Sequence, residues 1–221
     1  MTETHPPSDL PSRRTMIIWV GLGLMMAILL GVKFFQDAMK STARKPLPVY
    51  GQLQDFELIE RTGKSFGSID LKGKVWIADF IFTRCGGPCP QMTYKMGDLQ
   101  KNLETVPEIK FVSFSVDPEH DTPQELTEYA QQFHAQEGRW FFLTGRMEEI
   151  QALAKQSFKI ILQDNKVEQR QVDEGSILHS THFILVDSHG QVRGYYDSST
   201  PEQLKKLQED AVQLVREGVR I

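Results

Sequence analysis

Cys85 and Cys89 are the two cysteines of a 221-residue chain, four residues apart in Phe82-Thr83-Arg84-Cys85-Gly86-Gly87-Pro88-Cys89-Pro90, directly after an apolar run. Two thiols at this spacing can close into a disulfide, exchange one with another protein, or pinch a soft metal ion. A structural staple is disfavoured. Closing so short a loop removes little chain entropy, and Gly86-Gly87 gives mobility where a staple wants rigidity.

Two sulfurs alone suit linear or trigonal Cu(I), whereas Zn(II) takes four ligands in a tetrahedron. A third ligand has to choose between metal and redox chemistry, and His120, His134, His179 and His182 are the candidates. His5 precedes the long apolar stretch, and His189 belongs to a hairpin tip. His134 ends an amphipathic helical segment. His120 and Asp117 lie in Ser115-Val116-Asp117-Pro118-Glu119-His120-Asp121-Thr122-Pro123, a turn after a strand, on the sheet edge where open α/β folds bind ligands. Turn chemistry alone accounts for Asp117 and Asp121. His179 and His182 are three apart, and on an extended chain an odd separation sends side chains to opposite faces, so one of the two is a bystander.

The elements that carry these residues alternate. Strands are expected over 56–59, 75–82, 109–116, 140–143, 182–187 and 192–196, with 75–82 apolar except for Asp79 and so buried on both faces. Helices are expected over 90–103, 123–133, 147–156 and 201–216. Thr122-Pro123-Gln124-Glu125 and Thr200-Pro201-Glu202-Gln203 read as capping boxes with Pro at the first helical position. Ser188-His189-Gly190 turns a hairpin. The order predicts one α/β domain, with Cys85 in a strand-to-helix loop and Cys89 at the helix start. A helix N-terminus favours a thiolate, which predicts a lowered Cys89 pKa, with Arg84 adding to it if it points inward.

Charged residues are 24% and hydrophobic ones 40% of the chain, ordinary for a folded protein. Met16 to Val32 carries no charge. Extended past Lys33 to Phe35 it makes 20 residues, about 30 Å of helix, enough to span a bilayer with Lys33 snorkelling. Arg13 and Arg14 would also open a signal peptide, but the small-residue site Ser41-Thr42-Ala43 lies far from the apolar core, which favours an uncleaved transmembrane anchor. Two basic residues precede the span, and Lys33, Lys40, Arg44 and Lys45 follow it. Large domains translocate largely regardless of such charges, so the count does not set the compartment. The expected organisation is a tail over 1–15, an anchor over 16–35, a linker over 36–48 and a domain over 49–221. From residue 46 onward 19 basic residues face 26 acidic ones, a net −7 without a basic stripe, which excludes nucleic-acid binding.

Four motifs in order carry a family resemblance: Cys-x-x-x-Cys-Pro after a strand ending Phe-Thr, Ser-Val-Asp-Pro, Asp-Thr-Pro, and His-Ser before a Leu-Val-Asp strand. With the apolar N-terminal helix, the chain from about Pro46 onward resembles the Sco/SenC family. The resemblance implies a thioredoxin-like fold, a central sheet flanked by helices, after one N-terminal transmembrane helix. It implies one copper, Cu(I) or Cu(II), on Cys85, Cys89 and His179. The implied role is a metallochaperone rather than an enzyme in the strict sense, delivering copper to the second subunit of cytochrome c oxidase or another copper acceptor. An alternative is a thiol-disulfide reductase acting on the acceptor's cysteines through the redox pair Cys85 and Cys89. Both roles belong outside the cytoplasm or in the mitochondrial intermembrane space. Two departures stand out: Gly86-Gly87-Pro88 replaces the more typical Pro-Asp-x between the cysteines, and Leu178 stands where an Asp often precedes the histidine.

Overall fold

The computed structural model describes residues 13–41, 45–160 and 181–218. Contacts divide the chain into two compact units, Met1–Pro46 and Leu47–Ile221. The first contains helix α1, Arg13–Ser41. Its stretch Met16–Lys33 is long and apolar enough to cross a membrane, and none of it is buried. Ile17, Trp19, Leu24 and Leu30 are all exposed, so this stretch has apolar side chains without a polar face, a pattern suited to lipid rather than to water.

In the second unit the strands are β1 (Gly51–Gln52), β2 (Glu57–Glu60), β3 (Ser65–Gly67), β4 (Trp76–Ile81), β5 (Lys110–Ser115), β6 (Trp140–Thr144), β7 (His182–Val186) and β8 (Gln191–Asp197). They form one sheet in the order β1-β8-β7-β4-β5-β6-β2-β3. Strands β4, β5 and β6 are parallel, and β7 and β8 join antiparallel beside β4. Strands β1 and β3 are absent from the sequence expectation because runs this short leave no alternation to read. Helices α2 (Cys89–Asn102), α3 (Pro123–Gln132), α4 (Met147–Gln156) and α5 (Pro201–Gly218) complete the unit.

Alternation along β4 builds two cores. Ile77 and Ile81 face α2, α3 and α5 with Phe111, Trp140 and Phe183. Trp76, Ala78 and Phe80 face the other way, with Phe114, Phe158 and α4. The hairpin β7–β8 turns at Gly190, whose φ of 74° is the left-handed conformation the turn requires. Of the two expected capping boxes, the first is half made: Thr122 Oγ1 accepts from Glu125 N at 3.3 Å. In the second, both side chains turn to Asp197 instead. Gln203 Oε1 accepts from Asp197 N at 2.8 Å, and Thr200 Oγ1 donates to the Asp197 carboxylate at 3.4 Å. Helix α2, which carries Cys89, is anchored at its far end by buried Arg139, whose guanidinium donates to the main-chain carbonyls of Gln100 and Leu103 at 3.0 and 2.5 Å. Those are C-terminal helix carbonyls with no partner inside the helix.

Asp79 interrupts the apolar side of β4 that α2 covers. It is 0% exposed, and neither carboxylate oxygen has a hydrogen-bond partner among the described residues. Burial pushes its pKa up from 3.8 to about 7, with Ser113 across the β4–β5 register opposing the shift weakly. In the unfolded chain the acid ionises near its ordinary value. The folded state therefore holds the extra proton, and stability is lost as pH rises through the window from about 4 to about 7. Asp79→Asn is expected to remove that slope and to be more stable than the parent at pH 8 by up to about 4 kcal/mol. Urea denaturation of both proteins across the window checks this, and parallel pH profiles would contradict it.

Candidate metal and thiol site

The loop leaving β4 is fixed by a carboxylate from the next crossover. Asp121, 0% exposed, accepts from Thr83 N at 3.2 Å, Thr83 Oγ1 at 2.6 Å and Ser115 Oγ at 2.5 Å. This ties the first residues after β4 to the end of β5, two loops that the parallel pairing already brings side by side. The Ser115 to Thr122 turn closes on itself: His120 N and Asp121 N both donate to Asp117 O, at 3.0 and 2.9 Å. Thr122 then caps α3.

From this platform the chain makes one more turn, Cys85 N donating to Phe82 O at 3.2 Å, and reaches the thiols. Both are free. Cys85 is half-buried and its Sγ receives the Gly87 N–H at 3.4 Å. Cys89 is the first residue of α2, after Pro88, and is 6% exposed. The two thiols act on each other electrostatically. Gly86 and Gly87 have no left-handed φ. A Cβ at Gly86 would meet nothing, and at Gly87 it would meet only the Cys85 sulfur, at 3.7 Å. Backbone strain does not explain these glycines; what they do is leave the sulfur uncovered.

The lowered Cys89 pKa expected from the helix start is not what the geometry gives. Burial pushes the thiol up to about 12, the hydrogen bond it donates toward Cys85 adds to this, and a main-chain contact from Phe82 opposes it. Desolvation of a charge inside the core outweighs the helix terminus. Beneath it, Thr93 Oγ1 bonds the Cys89 carbonyl at 2.9 Å and the Tyr129 hydroxyl at 2.8 Å. Arg84 also departs from expectation. It is 58% exposed and its Nη2 donates to Asp117 Oδ2 at 2.9 Å rather than turning toward the thiols. Burial would raise the Asp117 pKa, but the bonds from His120 and Arg84 outweigh it and hold the carboxyl below its ordinary range.

Among the candidate histidines, His179 lies outside the described residues. His182 opens β7 on the edge where β4 ends, but it shares the parity of Ile184 and Val186, which pack in the core on the face away from Cys89. His120 is on the cysteine edge and bonded to Asp117 through Nδ1 at 2.9 Å. His134 sits at the far end of α3 with a φ of 54°, and His189 on the hairpin turn at the opposite edge. Among the described residues no group of three or more His, Cys, Asp or Glu is placed to hold a metal. The roles of Asp121, Thr83 and Tyr129 were not legible in the sequence. Asp121 reads there as turn chemistry, and only the parallel register of β4 and β5 aims it at Thr83.

Comparison with known proteins identifies the family and the fold. The SCO1/SenC family model matches residues 48–215. A SCO1 protein homolog of Bacillus subtilis (strain 168) is 38% identical over 152 residues, covering 68% of this chain and 76% of the relative. The structure of BsSco, described as a member of the Sco family of cytochrome c oxidase assembly proteins with a disulfide switch, superposes with a TM-score of 0.62 at 33% identity, covering 77% of this chain and 99% of that one. Copper-bound ScoI of Arabidopsis thaliana superposes with a TM-score of 0.59 at 29% identity, covering 74% and 98%. The fold is therefore thioredoxin-like, a mixed sheet flanked by helices, and the chain belongs to the SCO1/SenC family.

Proposed function

We propose that this protein is a membrane-anchored copper chaperone, with copper as its cargo, held by Cys85, Cys89 and His179. The observation that carries the reading is the pair of free, adjacent thiols, one half-exposed and one buried, at the turn from β4 into α2. Two sulfurs and an imidazole form a set soft enough for Cu(I) that keeps a nitrogen for Cu(II). The described thiols fit this use: both are free and stand at the turn from β4 into α2, where a soft ion can bridge them. A cation between the sulfurs supplies the counter-charge that makes ionising buried Cys89 affordable. Cys85 offers the accessible sulfur and Cys89 the sheltered one, while the Asp121 clamp keeps the loop end fixed during loading.

His179 is favoured over its neighbour by parity. Phe183 and Leu185 pack in the core that includes Cys89, and Ile184 and Val186 in the other. His182 shares the face of Ile184 and Val186, away from Cys89, which leaves His179, the histidine the family resemblance implies. Relatives support the cargo, since Arabidopsis ScoI is known with copper bound. The acceptor under this reading is the copper centre of cytochrome c oxidase subunit II or another copper-acceptor protein. Residues 16–35 are the anchor and 36–48 a linker, with the domain from 49 onward held outside the cytoplasm, on the periplasmic side of a bacterial inner membrane or in an intermembrane space.

A second reading uses the same sulfurs. BsSco carries a disulfide switch, and adjacent thiols allow the same closure here. A disulfide on a partner takes two electrons and two protons from Cys85 and Cys89, leaving the partner reduced and this pair oxidised. The two readings differ in their need for an imidazole. His179→Ala is expected to weaken copper binding by at least about 100-fold, the upper end of what disturbing a metal site's surroundings costs, while the Cys85–Cys89 disulfide still forms. Competition titrations with a chelator, alongside thiol counting after mild oxidation, check both arms. Unchanged copper affinity would reject the site as drawn.

A further inference from the structure

The edge of the sheet opposite the thiols carries a separate hollow of about 660 Å³. Strands β4 and β5 begin there, and the β7–β8 turn and the last turns of α5 close its sides. Its floor is apolar: Val75 and Leu214 are buried, and Pro107 and Val215 continue it. A cavity of this size suits one small molecule with most of its surface covered. Lys74 and Lys110 stand at the rim. Lys74 Nζ donates to Asp70 O at 2.6 Å, and Lys110 Nζ to Pro107 O and Gly138 O at 3.3 and 3.2 Å. All these acceptors are main-chain carbonyls, and among the described residues neither lysine pairs with a carboxylate. An ammonium has three donors, so each lysine keeps at least one to give.

The two cations also feel each other. Burial presses the Lys110 ammonium below its ordinary range, the Lys74 and Arg139 charges add to this, and Glu108 on the same rim opposes it. Like charges held this close cost free energy, which an anion between them relieves. Lys74 and Lys110 against Glu108 leave the rim with one net positive charge, in a domain whose residues from 46 onward carry an acidic excess. That balance suits a monoanion rather than a phosphate dianion. We propose that this hollow binds a small monocarboxylate with an apolar body, its carboxylate received by Lys74 and Lys110 and its body laid over Val75, Pro107, Leu214 and Val215. A carboxylate accepts several charge-assisted hydrogen bonds at once, so one head group serves both lysines. Ser188 adds a hydroxyl on the hairpin side, in contact with His189 Nδ1 at 3.3 Å. No bond is made or broken, so the occupant is a ligand and not a substrate. The site needs neither copper nor a disulfide, and it stands apart from the thiol chemistry.

The test uses the full chain in micelles of a non-ionic detergent, with hexanoate as the probe. Sulfosuccinimidyl acetate labels lysines, and peptide mass spectrometry reads each position. Hexanoate is expected to cause a saturable loss of labelling at Lys74 and Lys110, half-maximal in the millimolar range that a ligand of about eight non-hydrogen atoms reaches. Exposed Lys64 and Lys155 serve as controls and keep their labelling. Hexanol and inorganic phosphate at the same concentration are expected to protect neither rim lysine. Lys74→Gln is expected to weaken the protection of Lys110 about tenfold, the loss of one hydrogen bond to a charged group. Unchanged labelling of both lysines in hexanoate overturns the proposal. Equal protection by hexanol overturns it by removing the charge recognition, and equal protection by phosphate by removing the apolar floor. Parent-like protection in Lys74→Gln overturns the shared head group.

Discussion

The buried carboxylate of Asp121 is the contact on which the site depends. It gathers the Thr83 amide, the Thr83 hydroxyl and the Ser115 hydroxyl, with no exposure to water that could replace any of them. Hydrogen bonds to a charged acceptor are roughly twice as strong as neutral ones, and their loss leaves buried donors unsatisfied. The clamp sits two residues before Cys85, at the last point where the sheet controls the chain. Past it, the thiol loop is held by one short turn and by the start of α2. A precise base under a loose loop suits a site that must admit and surrender a ligand.

Burial and charge compete throughout this region, and burial wins where water is absent. Asp79 and Cys89 both lie in the core that α2 covers, and each is held toward its neutral form by desolvation. Cys85 is half-buried in the loop, where its sulfur accepts the Gly87 amide. The pair is thus asymmetric, with one sulfur available at the surface and one that becomes anionic only with a counter-charge or a covalent partner. That asymmetry orders events under either the copper or the disulfide reading.

Much of this was legible in the sequence, for identifiable reasons. Strand β4 is an apolar run broken only by Asp79 because it is buried on both faces, and Pro88-Cys89-Pro90 marks the start of α2 through backbone restriction alone. Helix α4 runs from Met147 to Gln156 as the pattern predicts. Strands β1 and β3 were invisible, being held by partners distant in sequence rather than by local pattern. The Cys89 environment was misread because a helix terminus is a local feature, whereas burial depends on Phe183 of β7 and Tyr129 of α3 joining the same core. Asp121 was misjudged for the same reason: its turn is local, its partner Thr83 is not. Gly86-Gly87 reads as flexibility in the sequence, and in the fold it is uncovered space beside a sulfur.

The central claim is that Cys85, Cys89 and one imidazole hold a single copper ion. X-ray absorption at the copper edge, on the full chain in detergent with metal content measured on the same sample, tests it most directly. The account predicts one copper per chain, with two sulfur neighbours and at least one imidazole nitrogen. A chain that retains no copper, or a copper shell without two sulfurs, would contradict it.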